Sequence, residues 1–80
     1  MSTLAIEVEP LAVDVNCTDA ALRVSLADGR EISVPLSWSP RLLAATPEER
    51  KQWRLIGGGI GIHWESIDED ISVETLLRVR

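Results

Sequence analysis

Leu22-Arg23-Val24-Ser25-Leu26-Ala27-Asp28-Gly29-Arg30-Glu31-Ile32-Ser33-Val34 is the stretch on which the fold turns. Apolar side chains occupy every second position in each arm: Leu22, Val24 and Leu26, then Ile32, Val34 and, just beyond, Leu36. Strict alternation is the period of a strand buried on one face. The connection between the arms can be tested by parity. A two-residue Asp28-Gly29 turn sets Leu26 opposite Glu31 and Val24 opposite Ser33, mixing the apolar and polar faces. A one-residue change of register removes the conflict. A three-residue loop, a type I turn closed by Gly29 in the left-handed region, pairs Val24 with Ile32 and Leu22 with Val34. The expectation is a hairpin with a Gly29 bulge. Pro35 cannot donate to a ladder, so the second arm should end at a sheet edge or leave the sheet.

Toward the N-terminus, Leu11, Val13, Val15 and Cys17 alternate with Ala12, Asp14 and Asn16. A third strand is expected there, with a short loop at Thr18-Asp19 pairing Val15 with Leu22 and Val13 with Val24. The result is a three-stranded antiparallel meander with one apolar face. Residues 1–9 read as a flexible lead-in, and residues 10–80 as a single small domain.

Toward the C-terminus the period changes. Ser39-Pro40 is a helix cap followed by Pro at the first helical position, with Leu42 and Leu43 in the short turn of helix that follows. Thr46-Pro47-Glu48-Glu49 has the form of a capping box. Arg50, Lys51 and Arg54 then fall toward a helix C-terminus, where the dipole favours cations. Trp53, Leu55 and Ile56 lead into Gly57-Gly58-Gly59, a tight turn. Ile60, Ile62 and Trp64 alternate with Gly61 and His63 as a further strand. Ser72 caps a closing helix, with Ile71 placed to staple onto Leu76.

The composition excludes several classes of function. The chain has 80 residues, 13 acidic and 8 basic, for a net charge of −5. An excess of carboxylates opposes direct nucleic-acid binding, which works through Lys and Arg. A single Cys, Cys17, rules out an intramolecular disulfide framework and a Cys-based zinc site. An unpaired thiol suits a reducing compartment. No apolar run reaches membrane-spanning length, and the acidic N-terminus is unlike a secretory signal. A cytoplasmic location is the expectation.

Few constellations carry chemistry. The glycines from Gly57 to Gly61 lack the Lys and the following helix of a phosphate loop. Nucleophilic catalysis needs a nucleophile, a base and an orienting group. His63 is the lone His, Cys17 is in phase with core positions, and Ser66 has no visible oxyanion device beside it. No enzymatic activity and no cofactor are therefore expected. His63, Glu65, Asp68, Glu69 and Asp70 form the one dense polar cluster. It reads as an acidic loop leading into a helix, where negative charge is favoured. Trp38, Trp53 and Trp64 are the only aromatic residues. Trp64 continues a core face. Trp38 and Trp53 either close a thin core or anchor a contact.

Trp53-Arg54-Leu55-Ile56-Gly57-Gly58-Gly59, Gly61-Ile62-His63-Trp64 and Ile67-Asp68-Glu69-Asp70-Ile71-Ser72-Val73 resemble the bacterial domain of unknown function 2442 family. So do Leu76-Leu77, Asp28-Gly29-Arg30, Ser39-Pro40-Arg41-Leu42 and Thr46-Pro47-Glu48-Glu49-Arg50. The resemblance runs from Pro10 onward. It implies a small α+β protein, often encoded as the second member of a two-gene arrangement of toxin–antitoxin type. Some family members carry an added helix-turn-helix domain. The resemblance implies no catalytic residues.

The expected architecture is α+β: an antiparallel meander, a short capped helical insert, a further strand pair and a short C-terminal helix. The expected function is a non-enzymatic interaction module, antitoxin-like, meeting a small basic protein. Its contact surface would use His63, Glu65, Asp68, Glu69 and Asp70, with Trp38 or Trp53 as anchors. The alternative is a small ligand- or metal-binding sensor built on His63, Asp68 and Asp70. Pairing of two copies through an open sheet edge is compatible with either.

Overall fold

A computed structural model describes residues 10–78. The expected lead-in, residues 1–9, and the last two residues lie outside that range. The element order is β1 (Ala12–Cys17), β2 (Ala21–Leu26), β3 (Glu31–Pro35), α1 (Pro40–Ala44), α2 (Pro47–Arg50), β4 (Trp53–Ile56), β5 (Gly61–Trp64), β6 (Glu69–Ser72) and α3 (Val73–Leu77). Short 3-10 turns occupy Leu36–Trp38, Gly57–Gly59 and Glu65–Ile67. The strands form two antiparallel three-stranded sheets, β1-β2-β3 and β4-β5-β6. The α+β architecture is the one expected, with the further strand pair enlarged to a full sheet.

The β2–β3 hairpin has the register that parity demands: Val24 faces Ile32 and Leu22 faces Val34. Gly29 adopts φ 94°, and its N–H donates to the Leu26 carbonyl at 3.0 Å. Asp28 braces the loop by accepting from the Arg30 backbone N–H and from Arg30 Nε. These hydrogen bonds, the backbone one foremost, hold the Asp28 carboxyl below its usual range. Pro35 ends β3, at the edge of its sheet.

β1 departs from expectation in two ways. Its register is shifted by two residues, so that Val15 faces Val24 and Cys17 faces Leu22. The ladder is also irregular between Ala12 and Asp14. A bulge there adds one residue, which reverses the faces beyond it. Ala12 is consequently buried opposite Leu26, and Val13, expected inside, is turned out to 55% exposure.

All three expected helix caps are formed, Ser72 accepting from Thr75 N at the start of α3. The Ser39 hydroxyl accepts from Leu42 N, and Thr46 and Glu49 make a reciprocal capping box. α2 closes at Arg50, so Arg54 is not in its last turn but lies in β4. Trp53 to Ile56 is likewise a strand, not a lead-in. β5 starts at Gly61, leaving Ile60 in the turn and 47% exposed. The expected acidic loop is also corrected. Glu69 and Asp70 belong to β6, and of the Asp68-Glu69-Asp70 run only Asp68 precedes the strand, in the left-handed region at φ 51°.

One core joins the two sheets and the helices. Val15, Leu22, Val24, Leu26 and Val34 from the first sheet meet Ile62 and Trp64 from the second. Leu36, Leu42, Val73 and Leu76 complete it. Gly59, at φ 110°, lies against β1: a Cβ on it would stand 2.5 Å from the Ala12 carbonyl oxygen. Only glycine permits that approach.

Candidate functional site

Two of the four cross-strand rows of the second sheet carry the candidate residues. Trp53, Trp64 and Glu69 are cross-strand partners in one row. Arg54, His63 and Asp70 are partners in the next. Successive residues of a strand point to opposite faces. The acidic run is therefore divided: Glu69 turns inward and Asp70 outward. It does not form one continuous contact surface.

The outward row is a polar network. His63 Nδ1 meets Asp70 Oδ1, and His63 Nε2 meets Glu65 Oε1 at 3.1 Å. Arg54 reaches the same Glu65 oxygen at 3.5 Å. The His63 side chain is only 14% exposed, whereas Asp70 and Glu65 are 67% and 78% exposed. Chiefly the hydrogen bond that Asp70 accepts, with help from Glu65, raises the His63 pKa above its usual value. Asp68 is not in this network; its carbonyl oxygen, with that of Ile67, accepts from Arg41. The metal triad of His63, Asp68 and Asp70 is thus not assembled as expected. Among the described residues, no group of three His, Cys, Asp or Glu side chains is placed to hold a metal ion.

Inside the sheet, the Glu69 carboxylate accepts from the Ser39 hydroxyl at 2.7 Å. Ser39 is buried, and the same hydroxyl caps α1. That contact ties the helical insert to β6. Beside it opens an apolar groove lined by Val34, Leu36, Leu42, Ile71, Leu76 and Trp38, with Glu69 also in its wall. Trp38 is 58% exposed. Trp53 differs: it is half-buried and packs on the core, and Trp64 is fully buried. Of the two candidate anchors, only Trp38 projects to solvent.

Arg50 ends α2, as expected, and is buried at 7% exposure. Its Nε and Nη2 donate to the carbonyls of Leu42 and Leu43, which end α1. Its Nη1 meets Asp19 in the β1–β2 turn at 2.7 Å. Its own carbonyl accepts from Trp64 Nε1 at 3.1 Å. The planar fork of donors in Arg makes such a junction possible. No local pattern in the sequence signals it, because its partners are distant in the chain. Cys17 is half-buried, and burial pushes its thiol pKa up, away from the reactive thiolate.

A short capped insert held between two antiparallel meanders defines a small two-sheet α+β protein. The chain belongs to the family described as protein of unknown function DUF2442, which matches residues 12–80. A solved protein of unknown function from Rhodospirillum rubrum is similar over 86% of both chains, at 28% identity and a TM-score of 0.74. An uncharacterised protein from Chromobacterium violaceum, CV0863, is 25% identical with a TM-score of 0.71. That likeness covers 84% of this chain and 63% of the other. No functionally curated protein matches. Among the described residues, no helix is long and apolar enough to cross a membrane.

Proposed function

We propose that the chain is a non-enzymatic, cytoplasmic interaction module that binds a small basic protein, as the antitoxin-like member of a two-protein pair. The observation that carries this reading is Trp38, 58% exposed at the rim of an apolar groove. Trp is among the residues most enriched at the energetic centre of protein interfaces. The fold spends the other two of its three Trp residues on the core and leaves this one in water. The net charge of −5 favours encounter with a basic partner. Glu69, in the groove wall, supplies a carboxylate beside the apolar anchor.

The test is affinity capture of the full chain from its native cells, followed by titration of the purified partner. One basic protein should be recovered in stoichiometric amount. Trp38→Ala should weaken its binding by about thirtyfold, the effect of an interface hot spot. The thermal stability of that variant should change little, because the side chain is exposed. A partner bound equally well by Trp38→Ala, or no basic partner at all, overturns the reading.

A further inference from the structure

Each ring nitrogen of His63 faces a carboxylate: Nδ1 faces Asp70 on β6, and Nε2 faces Glu65 in the 3-10 turn after β5. A neutral imidazole has one N–H donor and one lone pair, while a carboxylate only accepts. With neutral His63, one of the two contacts would set a lone pair against carboxylate oxygen. Only the doubly protonated ring satisfies both. Arg54, the cross-strand neighbour on β4, is the one cation in this network, and its guanidinium is engaged with Glu65.

We propose that His63 is a proton-operated clamp, which in its imidazolium form ties both Asp70 of β6 and Glu65 of the turn after β5 to that strand and as a neutral ring holds only one of the two. In the clamped state, Arg54, His63, Glu65 and Asp70 sum to zero charge. Loss of the proton frees one carboxylate contact and leaves the outer face of the second sheet with one net negative charge. Proton uptake therefore couples the charge of this face to the hold on β6. The clamp acts on the face of β6 opposite the groove, which the same strand lines with Glu69 and Ile71.

The sign of the effect on stability follows from linkage. An unfolded His titrates at about 6.5. The folded-state pKa lies above it. The stabilisation is complete below the unfolded value and is lost as pH rises through the folded one.

His63 is the sole His, so its imidazole signals in a 15N-labelled full-length chain are unambiguous. A pH titration by long-range 1H–15N NMR should show a midpoint above about 6.5, with both nitrogens protonated below it. Asp70→Asn should lower that midpoint by about half a pH unit or more, and Glu65→Gln by less. Both carboxylates are largely exposed, and the amide spectrum of each variant reports its fold. If one variant does not fold, the other decides. A wild-type midpoint at or below about 6.5, or an unmoved midpoint in the folded variants, overturns the clamp.

Discussion

Arg50 and Asp19 form an ion pair whose two ends have very different worth. The Asp19 side chain is 91% exposed, so the pair itself is screened by water. Asp19→Asn should cost less than about 1 kcal/mol. Arg50 also satisfies the Leu42 and Leu43 carbonyls at the end of α1. Arg50→Met keeps much of the apolar stem but leaves both without that donor. The Leu42 carbonyl keeps the Ala45 N–H, so the main loss is the Leu43 contact, a hydrogen bond to a charged donor worth about 1.5–3 kcal/mol, and the variant should lose at least about 1.5 kcal/mol. Urea denaturation of both variants separates the two contributions. Equal losses would mean that the ion pair, not the carbonyl contacts, holds the junction. The same residue marks a boundary of sequence reading. A cation two turns from its targets in sequence looks like any helix-end Arg, because nothing local encodes a carbonyl eight residues upstream.

Among the elements, the Gly57-Gly58-Gly59 turn has unequal positions. Gly58 at φ 69° has open space around a Cβ, while Gly59 would drive one into the Ala12 backbone. Gly58→Ala should cost about 1–2 kcal/mol, from its left-handed backbone alone. Gly59→Ala should cost about 3 kcal/mol or more, since rigid backbone must shift as well. Thermal melts of the pair give the ranking, and a larger loss at Gly58 would contradict the packing of this turn on β1. The sequence shows that a turn lies there, but not which glycine touches another strand. Legibility elsewhere follows the same rule. The β2–β3 register was readable because a one-residue slip would have mixed faces at every pair. The β1 register was not, because a two-residue slip keeps every side chain on its own face. The Val13 bulge was hidden for a related reason: Ala12 and Val13 are both apolar, so either fits the inside. β6 was missed because an Asp-Glu-Asp run is depleted in strands. Its Glu69 and Asp70 are tolerated because each has a partner, in Ser39 and His63. Of the site, the residue types in the His63 cluster were visible, but their division between two faces depended on that unrecognised strand.

At the scale of the molecule, two sheets of similar plan share one core and are tied across it by a few polar and backbone contacts. Arg50 links the β1–β2 turn to Trp64 of β5, Gly59 seats the β4–β5 turn on β1, and the Ser39–Glu69 bond joins the insert to β6. The groove at Trp38 and the His63 row are built on different faces of the second sheet's last strand. A substitution at one can therefore be read without disturbing the other, and Trp38→Ala should leave the His63 titration midpoint unchanged.

Each sheet is woven from one uninterrupted stretch of chain, residues 12–35 and residues 53–72. Every strand pairs with a neighbour in sequence, so each hydrogen-bonded ladder forms after closing only a short loop. Closing a short loop forfeits little chain entropy before its contacts form. Rates of folding track this locality, and mixed α and β chains of local topology fold on the order of milliseconds. Stopped-flow refolding followed by Trp fluorescence should then show one fast exponential phase. A dominant phase of seconds would mean that joining the two preformed sheets, rather than weaving either one, limits the rate.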